Sequence, residues 1–338
     1  MISWSPQVEI CPQEAREAAL EVLYQRIPES LRRHVVAEVL HEAASGKLDL
    51  SGLWVAWERT WSFTAKPNRQ IIGAMLTQAL AGRAAAVWAP EIRPCFRRAA
   101  TASVLVRSAL SHLRMTGIRV VQAVLDESAG PQAARDLNQG GMPRVTELLY
   151  LERETSTPMR KMPGLLQNRT SHHSDSNLTF DWRPFEPAVE AEFRSVLQAT
   201  YQGSLDMPEL EGARSLDDIM QGHRSAGRFV AERWRLGRLP GEPEAAAVLL
   251  LAEIPGRNVW EIIYLGLTPQ ARGRGLGREA LLHALELARP HVPWLELAVD
   301  LRNRPATRLY QSSGFAIRDR RAVHLAILGE PLSDSISK

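Results

Sequence analysis

The run Glu261-Ile-Ile-Tyr-Leu-Gly-Leu-Thr-Pro-Gln-Ala-Arg-Gly-Arg-Gly-Leu-Gly-Arg-Glu-Ala-Leu-Leu, residues 261–282, decides how the rest of the chain is read. Its apolar and β-branched start predicts a strand that leads into Pro269. Glycines follow at Gly273, Gly275 and Gly277, and a helix begins at once, with Leu276, Ala280, Ala284 and Ala288 beside Leu281 and Leu285 as its apolar stripe. Glycines at a strand-to-helix turn let the backbone approach a ligand closely. The free amides of the first helical turn point outward at the positive end of the helix dipole. That combination binds phosphate. Arg272, Arg274 and Arg278 add positive charge; each exposed contact contributes only about 0.2–1 kcal/mol, so the amides must fix the ligand.

The spacing excludes two common phosphate sites. A dinucleotide turn needs G-x-G-x-x-G and a nucleotide-triphosphate loop needs G-x-x-x-x-G-K-S/T; neither is present here. Arg272-Gly-Arg-Gly-Leu-Gly instead fits Q/R-x-x-G-x-G/A behind a Leu-x-Pro step. About thirty residues on, after another strand-like run, stands Asn303-x-x-Ala306-x-x-Leu309-Tyr310-x-x-x-Gly314-Phe315. With both motifs in this order, the segment from Asp181 to Leu328 resembles the GNAT N-acetyltransferase superfamily. The resemblance implies acetyl-CoA as acyl donor. It places the pyrophosphate on Arg272, Gly273, Arg274, Gly275, Leu276, Gly277 and Arg278, the pantetheine on the backbone of Leu265 to Leu267, and Asn303 against the cofactor.

The chemistry then follows from the reaction. Acyl transfer from a thioester to an amine needs a neutral amine, a donor for the tetrahedral oxyanion and a proton for the departing thiolate. A phenol, with a reference pKa of about 10, is protonated at neutral pH and can supply that proton. Tyr310 is the expected general acid; the competing reading is a ring packed under its helix. Glu261 resembles a position where some family members carry a catalytic base, and an edge-of-strand glutamate in solvent is the competing reading. One amide of Leu265–Leu267 would face the oxyanion in the family's manner. His283, midway along the helix, reads as a surface or interface residue.

The chain has 338 residues, 41 Lys and Arg against 38 Asp and Glu, 45% hydrophobic and 23% charged residues. This is a globular composition with room for about two domains. No aromatics interleave with Arg272–Arg278, which argues against nucleic-acid binding. Cys11 and Cys95 stand far apart without partners at ligand spacing, so neither a disulfide framework nor a zinc site is expected and a reducing compartment fits. The longest apolar run, Ala245 to Ala252, falls far short of a membrane span. The N-terminus lacks the basic and apolar regions of a secretory signal, and a cytoplasmic location is expected.

Polar, Pro-rich composition between Arg153 and Asn177 predicts a linker, in which His172 and His173 read as solvated. After it, strand and helix signals alternate as β-α-α-β-β-β-α-β-α-β-β, with two strands expected between Phe315 and Leu328. The first half repeats this plan: Arg107-Ser-Ala-Leu-Ser-His-Leu matches Arg278-Glu-Ala-Leu-Leu-His-Ala, and Ala133-Ala-Arg-Asp-Leu-Asn-Gln-Gly-Gly-Met matches Ala306-Thr-Arg-Leu-Tyr-Gln-Ser-Ser-Gly-Phe. The expected fold is α/β, two tandem GNAT-like domains, each a mixed twisted sheet flanked by helices. Residues 1–154 form a degenerate copy, 155–177 a linker and 178–330 the acetyl-CoA-binding domain. The register puts Thr101-Ala-Ser-Val-Leu-Val at the phosphate turn of the first copy and Leu137 at the position of Tyr310, so that copy is expected not to bind acetyl-CoA in the usual way.

The acceptor is expected between the first two helices of the second half. There Asp206, Glu209, Glu211, Asp217 and Asp218 stand against Arg214. Either they rim a site for a cationic amine, or they form a solvated loop and a helix N-terminus. The function expected is acetyl transfer to a small-molecule amine by direct attack in a ternary complex. A non-catalytic acetyl-CoA-binding sensor or scaffold is the alternative. The sequence does not indicate an oligomeric state.

Overall fold

The computed structural model describes residues 6–60, 68–95, 97–158 and 179–329. The linker expectation, with His172 and His173, lies outside them except for Thr155–Pro158. In the first half the elements are β1 (Gln7–Ile10), α1 (Arg16–Leu23), α2 (Glu29–Ala44), β2 (Leu53–Thr60), β3 (Asn68–Leu80), β4 (Ala84–Val87), a two-residue β5 (Glu91–Ile92), α3 (Arg98–Met115), β6 (Val120–Leu125), α4 (Gly130–Gly140) and β7 (Arg144–Glu154). The second half runs β8 (Asp181–Pro184), α5 (Glu190–Tyr201), α6 (Leu216–Ser225), β9 (Trp234–Arg238), β10 (Ala245–Glu253), β11 (Val259–Leu267), α7 (Leu276–Ala288), β12 (Trp294–Asp300), α8 (Arg304–Ser312) and β13 (Ala316–Ile327). Apart from β5 the two halves share one order of elements, as the repeats predicted.

Two compact units result: Met1–Val145 with Arg321–Lys338, and Thr146–Arg320. They do not follow the boundaries expected at 154 and 178. Unit 1 orders its strands β1-β2-β3-β4-β6, and residues 322–327 of β13 close the sheet against β6. Unit 2 orders its strands β8-β9-β10-β11-β12, and β7 closes that sheet. Each unit therefore takes its closing strand from the other half of the sequence. Each has one parallel pair, β4 with β6 and β11 with β12. Two strands were expected after Phe315, yet β13 is a single strand of 12 residues, because Ala316–Ile327 contains no glycine or proline to turn it.

In unit 2 the uniformly apolar β10 is explained by burial on both faces. Val248 and Leu250 join Phe193, Leu197 and Trp234 on the α5–α6 side, while Leu249 and Leu251 join Leu281, Leu285 and Leu297 on the α7–α8 side. Each fully buried leucine contributes about 1.5–3 kcal/mol. The expected α7 stripe, Leu276 through Ala288, is buried throughout.

The register for the first copy fails at one point. Thr101–Val106 lie inside α3, not in the turn, and Thr101, Ala102, Leu105 and Val106 are fully buried. α3 has 18 residues against 13 in α7 and begins about two turns earlier than the matched register requires. No helix among the described residues is long and apolar enough to cross a membrane.

Candidate active site

Unit 2 opens where its parallel pair ends. β11 stays paired with β10 as far as Leu267, but with β12 only from Val259 to Ile262, opposite Trp294 to Leu297. β12 continues along β7 to Asp300. The divergence has a local cause: Leu250 faces Tyr264 and Leu251 faces Ile262, leaving Ile263 as an extra residue. Such a bulge bends its strand and increases its twist. Among the described residues, one edge of β11 beyond Ile262 therefore has no strand partner, and Leu265 and Leu267 lie on that stretch.

The glycine turn stands at the end of that edge. Gly273 and Gly275 have φ of +74° and +81°, and a Cβ at either would meet nothing within 4 Å. Backbone conformation and an open cradle, not packing, call for glycine there. Gly275 caps α7 without a side-chain hydrogen bond, so the helix presents uncapped amides to that space. Gly277 differs, because a Cβ there would lie 3.1 Å from Leu309 and the glycine lets α7 approach α8. Leu276 is buried beneath the turn.

The three arginines do three jobs. Arg272 donates from Nε to the Leu267 carbonyl (3.1 Å) and from its terminal nitrogens to Thr200 (2.8 Å), Gln202 (2.8 Å) and Gly203 (3.2 Å). Its guanidinium is spent on pinning the turn to the end of α5, where the sequence suggested a phosphate contact. Arg278 reaches Ser313 Oγ at 3.5 Å. Arg274 is exposed at the cradle.

β12 and α8 form the opposite wall. Asn303 caps α8, its Oδ1 accepting from Ala306 N at 3.3 Å, and its side chain also bonds to Asp206. Tyr310 is 8% exposed and packs against Phe315 with ring centroids 5.9 Å apart. Burial, then the charges of Asp206 and Tyr264, hold its hydroxyl far above the ordinary phenol range, so it remains protonated. A packed ring and a protonated hydroxyl thus coexist at Tyr310, which leaves the two readings of this residue undivided.

Sequence reading missed the polar group between these walls. Tyr264, just past the bulge, shares a 2.9 Å hydrogen bond with Thr200 Oγ1, and burial pushes its hydroxyl up to about 12. Tyr201 shares one of 2.7 Å with His223 Nε2. Burial and then Arg214 push His223 down to about 4, which leaves it neutral. The Tyr264 ring lies 5.0 Å from Tyr201 and 5.4 Å from His223. α5, α6 and β11 supply these residues, and no local spacing announces them.

The acidic run is mostly engaged. Asp218 forms a capping box with Ser215, Asp217 pairs with Arg194 at 2.5 Å, and Glu209 takes both terminal nitrogens of Arg302 at 2.6 and 2.8 Å. Asp206 accepts from Asp300 N at 2.8 Å. A free anionic rim for a cationic amine is not supported. Glu261 lies on the doubly paired length of β11, opposite Glu296, which pairs with Arg257 at 2.5 Å. Burial and then Glu296 raise its pKa. The charges that act on Tyr310 are those of Asp206 and Tyr264. His283 stacks on Trp182 at 4.8 Å, and burial lowers it to about 4.

Residues 194–315 match the profile of the acetyltransferase (GNAT) family. A mycothiol acetyltransferase from Thermobispora bispora is 31% identical over 220 residues, 60% of this chain and 68% of its own. This chain belongs to the GNAT acetyltransferase family. Two further mycothiol acetyltransferases, from Thermobifida fusca and Acidothermus cellulolyticus, are 33% and 29% identical over 36% and 60% of this chain. Those alignments span 39% and 64% of the relatives' own lengths. Among solved structures, a GCN5-related N-acetyltransferase from Sphaerobacter thermophilus overlays 96% of both chains with a TM-score of 0.55 at 16% identity, which shows a common GNAT fold.

Proposed function

We propose that this GNAT chain transfers an acetyl group from acetyl-CoA to a primary amine of a small molecule, and that unit 2 carries the reaction. The observation behind this reading is the opening itself. A free strand edge ends at an uncapped glycine turn and faces a buried tyrosine hydroxyl. The cradle fits the donor: the amides at Gly273 to Gly277 and the charge of Arg274 suit the pyrophosphate, and the backbone of Leu265 and Leu267 suits the pantetheine amides. The relatives' name, mycothiol acetyltransferase, suggests an acceptor of the mycothiol class.

In this reading Tyr310 gives its proton to the departing thiolate. A thiol has a reference pKa of about 8.5, well below that of the buried phenol, so the transfer serves to stabilise the leaving sulfur as the carbon–sulfur bond breaks. Acetyl-CoA should raise the melting temperature, and free thiol should appear when a panel of small primary amines is added. Stabilisation by acetyl-CoA with no thiol release from any amine would mark a sensor or scaffold instead.

A further inference from the structure

We propose that Asp206, in the loop between α5 and α6, takes the proton from the acceptor's ammonium and returns it to Tyr310. This inference rests on the N-acyltransferase reading.

Asp206 is exposed to solvent, yet protein surrounds it on most sides, as for a group lining a cleft. Tyr201 of α5, Tyr264 of β11, Asp300 and Arg302 at the end of β12, and Asn303 and Tyr310 of α8 are the titratable or polar groups around it. Its position is fixed by Asp300 N and the Asn303 side chain. The loop is tied down as well: the buried Asp300 carboxylate accepts from Thr146 Oγ1 (2.6 Å) and Met207 N (3.1 Å), and Arg302 bridges Asp300 to Glu209. Met207, the next residue, is held at φ +46°, a left-handed conformation that non-glycine residues avoid. Strain of this kind persists only where the surroundings over-determine it, and it clusters at functional sites.

The helix geometry connects Asp206 to the acid. Asn303 and Tyr310 are seven residues apart, hence on one face of α8, and side chains on a helix lean toward its N-terminus. Tyr310 therefore leans toward the end of α8 at which Asn303 holds Asp206. Burial raises the Asp206 carboxyl, against the pull of the Asp300 amide, toward the range useful to a base near neutral pH. Glu261 has different neighbours, Glu296 and Arg257.

The protons balance. An ammonium loses two on becoming an amide. The first goes to the Asp206 carboxylate, which frees the nitrogen lone pair to attack the thioester carbon. The carbon–sulfur bond breaks, Tyr310 gives its proton to sulfur, and the Asp206 carboxylic acid reprotonates the phenolate. The second N–H proton leaves to water.

The test compares Asp206→Asn with Glu261→Gln in the full chain, by pH–rate profiles of thiol release with an amine the wild type acetylates. Asp206→Asn should lower kcat/KM about 10²–10⁴-fold and remove the acid limb of the profile. It should leave acetyl-CoA affinity unchanged, and the melting temperature at neutral pH unchanged or higher, since a confined charge is removed. Glu261→Gln should keep the acid limb. A merely structural Asp206 would give a lower melting temperature with a profile of unaltered shape, and that overturns the proposal, as does loss of the limb in Glu261→Gln alone. A wild-type chain that binds acetyl-CoA but releases no thiol overturns the function and this proposal together; turnover with the limb intact in Asp206→Asn overturns this proposal alone.

Discussion

Arg272 offers the sharpest separation between holding the fold and holding the ligand. Replacing it with Met keeps the apolar stem and removes the four donated hydrogen bonds. The carbonyls of Gln202 and Gly203 lie at the surface, and water can replace the guanidinium there. Those of Leu267 and Thr200 are part-buried and lose a charged donor. At about 1.5 kcal/mol for each of these two, the low end for a charge-assisted bond, the loss is about 3 kcal/mol. For a domain of this size each kcal/mol moves Tm by about 2–4 °C, so the variant should melt about 6–12 °C lower. Arg274→Met, at an exposed position, should change stability by less than about 0.5 kcal/mol. It should instead weaken acetyl-CoA binding about two- to fivefold, an effect that fades as salt screens the contact. Far-UV circular dichroism melts give the first quantity and titration calorimetry well below Tm, at two salt concentrations, gives the second. If Arg272→Met melts like the wild type but binds acetyl-CoA more than tenfold more weakly, the clamp assignment is wrong and the guanidinium faces the phosphate.

Gly275→Val forces a branched residue to φ +81° in open space, costing roughly 1–3 kcal/mol in strain and filling the cradle. Stabilisation by acetyl-CoA should vanish, and an unchanged shift would refute the cradle. Titration of the wild type should find one acetyl-CoA per chain and none in Gly275→Val; a second equivalent would place a working site in unit 1. Tyr310→Phe should slow turnover about 100-fold while acetyl-CoA still raises Tm, and equal turnover would remove its role as acid. His223 and His283 titrate near 4 in the fold and near 6.5 when unfolded, so protons favour the unfolded chain between those values. Stability is complete above about pH 6.5 and falls toward pH 4. Melts across this range should show the fall, with a shallower slope in His223→Asn; a flat profile would contradict the buried neutral imidazoles.

The sequence was most legible where chemistry is local. Glycine spacing after a strand located the turn, because positive φ and an uncapped helix start are properties of a few neighbouring residues. Element order and repeat were legible for the same reason, since periodicity and punctuation act over short distances. Partner choice was not. Nothing in Arg144–Glu154 or Ala316–Ile327 tells which edge each strand will join, so the exchange of closing strands could not be read. Arg272 shows the same limit for a side chain: its position beside the glycines was plain, but the carbonyls it bonds come from α5, some seventy residues earlier. The bulge at Ile263 leaves no trace in an apolar strand, and the Tyr201–His223–Tyr264 group exists only once three elements meet.

Unit 1 shows what the same topology becomes when its opening is given to packing. Its parallel pair also ends early: β4 follows β6 only to Ala86 opposite Gln122, while β6 runs on to Leu125. There the resemblance to unit 2 stops. The chain after β4 turns back to pair Glu91 and Ile92 with β3, and Arg26, just beyond α1, bonds both Glu91 (2.7 Å) and the carbonyl of Ala129 next to α4 (2.7 Å). Gln25 adds bonds to Glu91 (3.0 Å) and to the Ile92 carbonyl (3.1 Å). At the start of α3, where unit 2 has a bare glycine turn, Arg98 makes two 2.8 Å bonds to the fully buried Asp136 of α4. Removing one partner of such a pair costs about 3–5 kcal/mol, because the other charge stays buried. A diphosphate entering unit 1 would have to displace Arg98 from Asp136 and would find no glycine cradle in exchange. In unit 2, among the described residues, the glycine turn has no side-chain cap and the β11 edge has no strand partner to give up, and this difference in competition, more than any difference in topology, is why we propose the second copy as the one that takes acetyl-CoA.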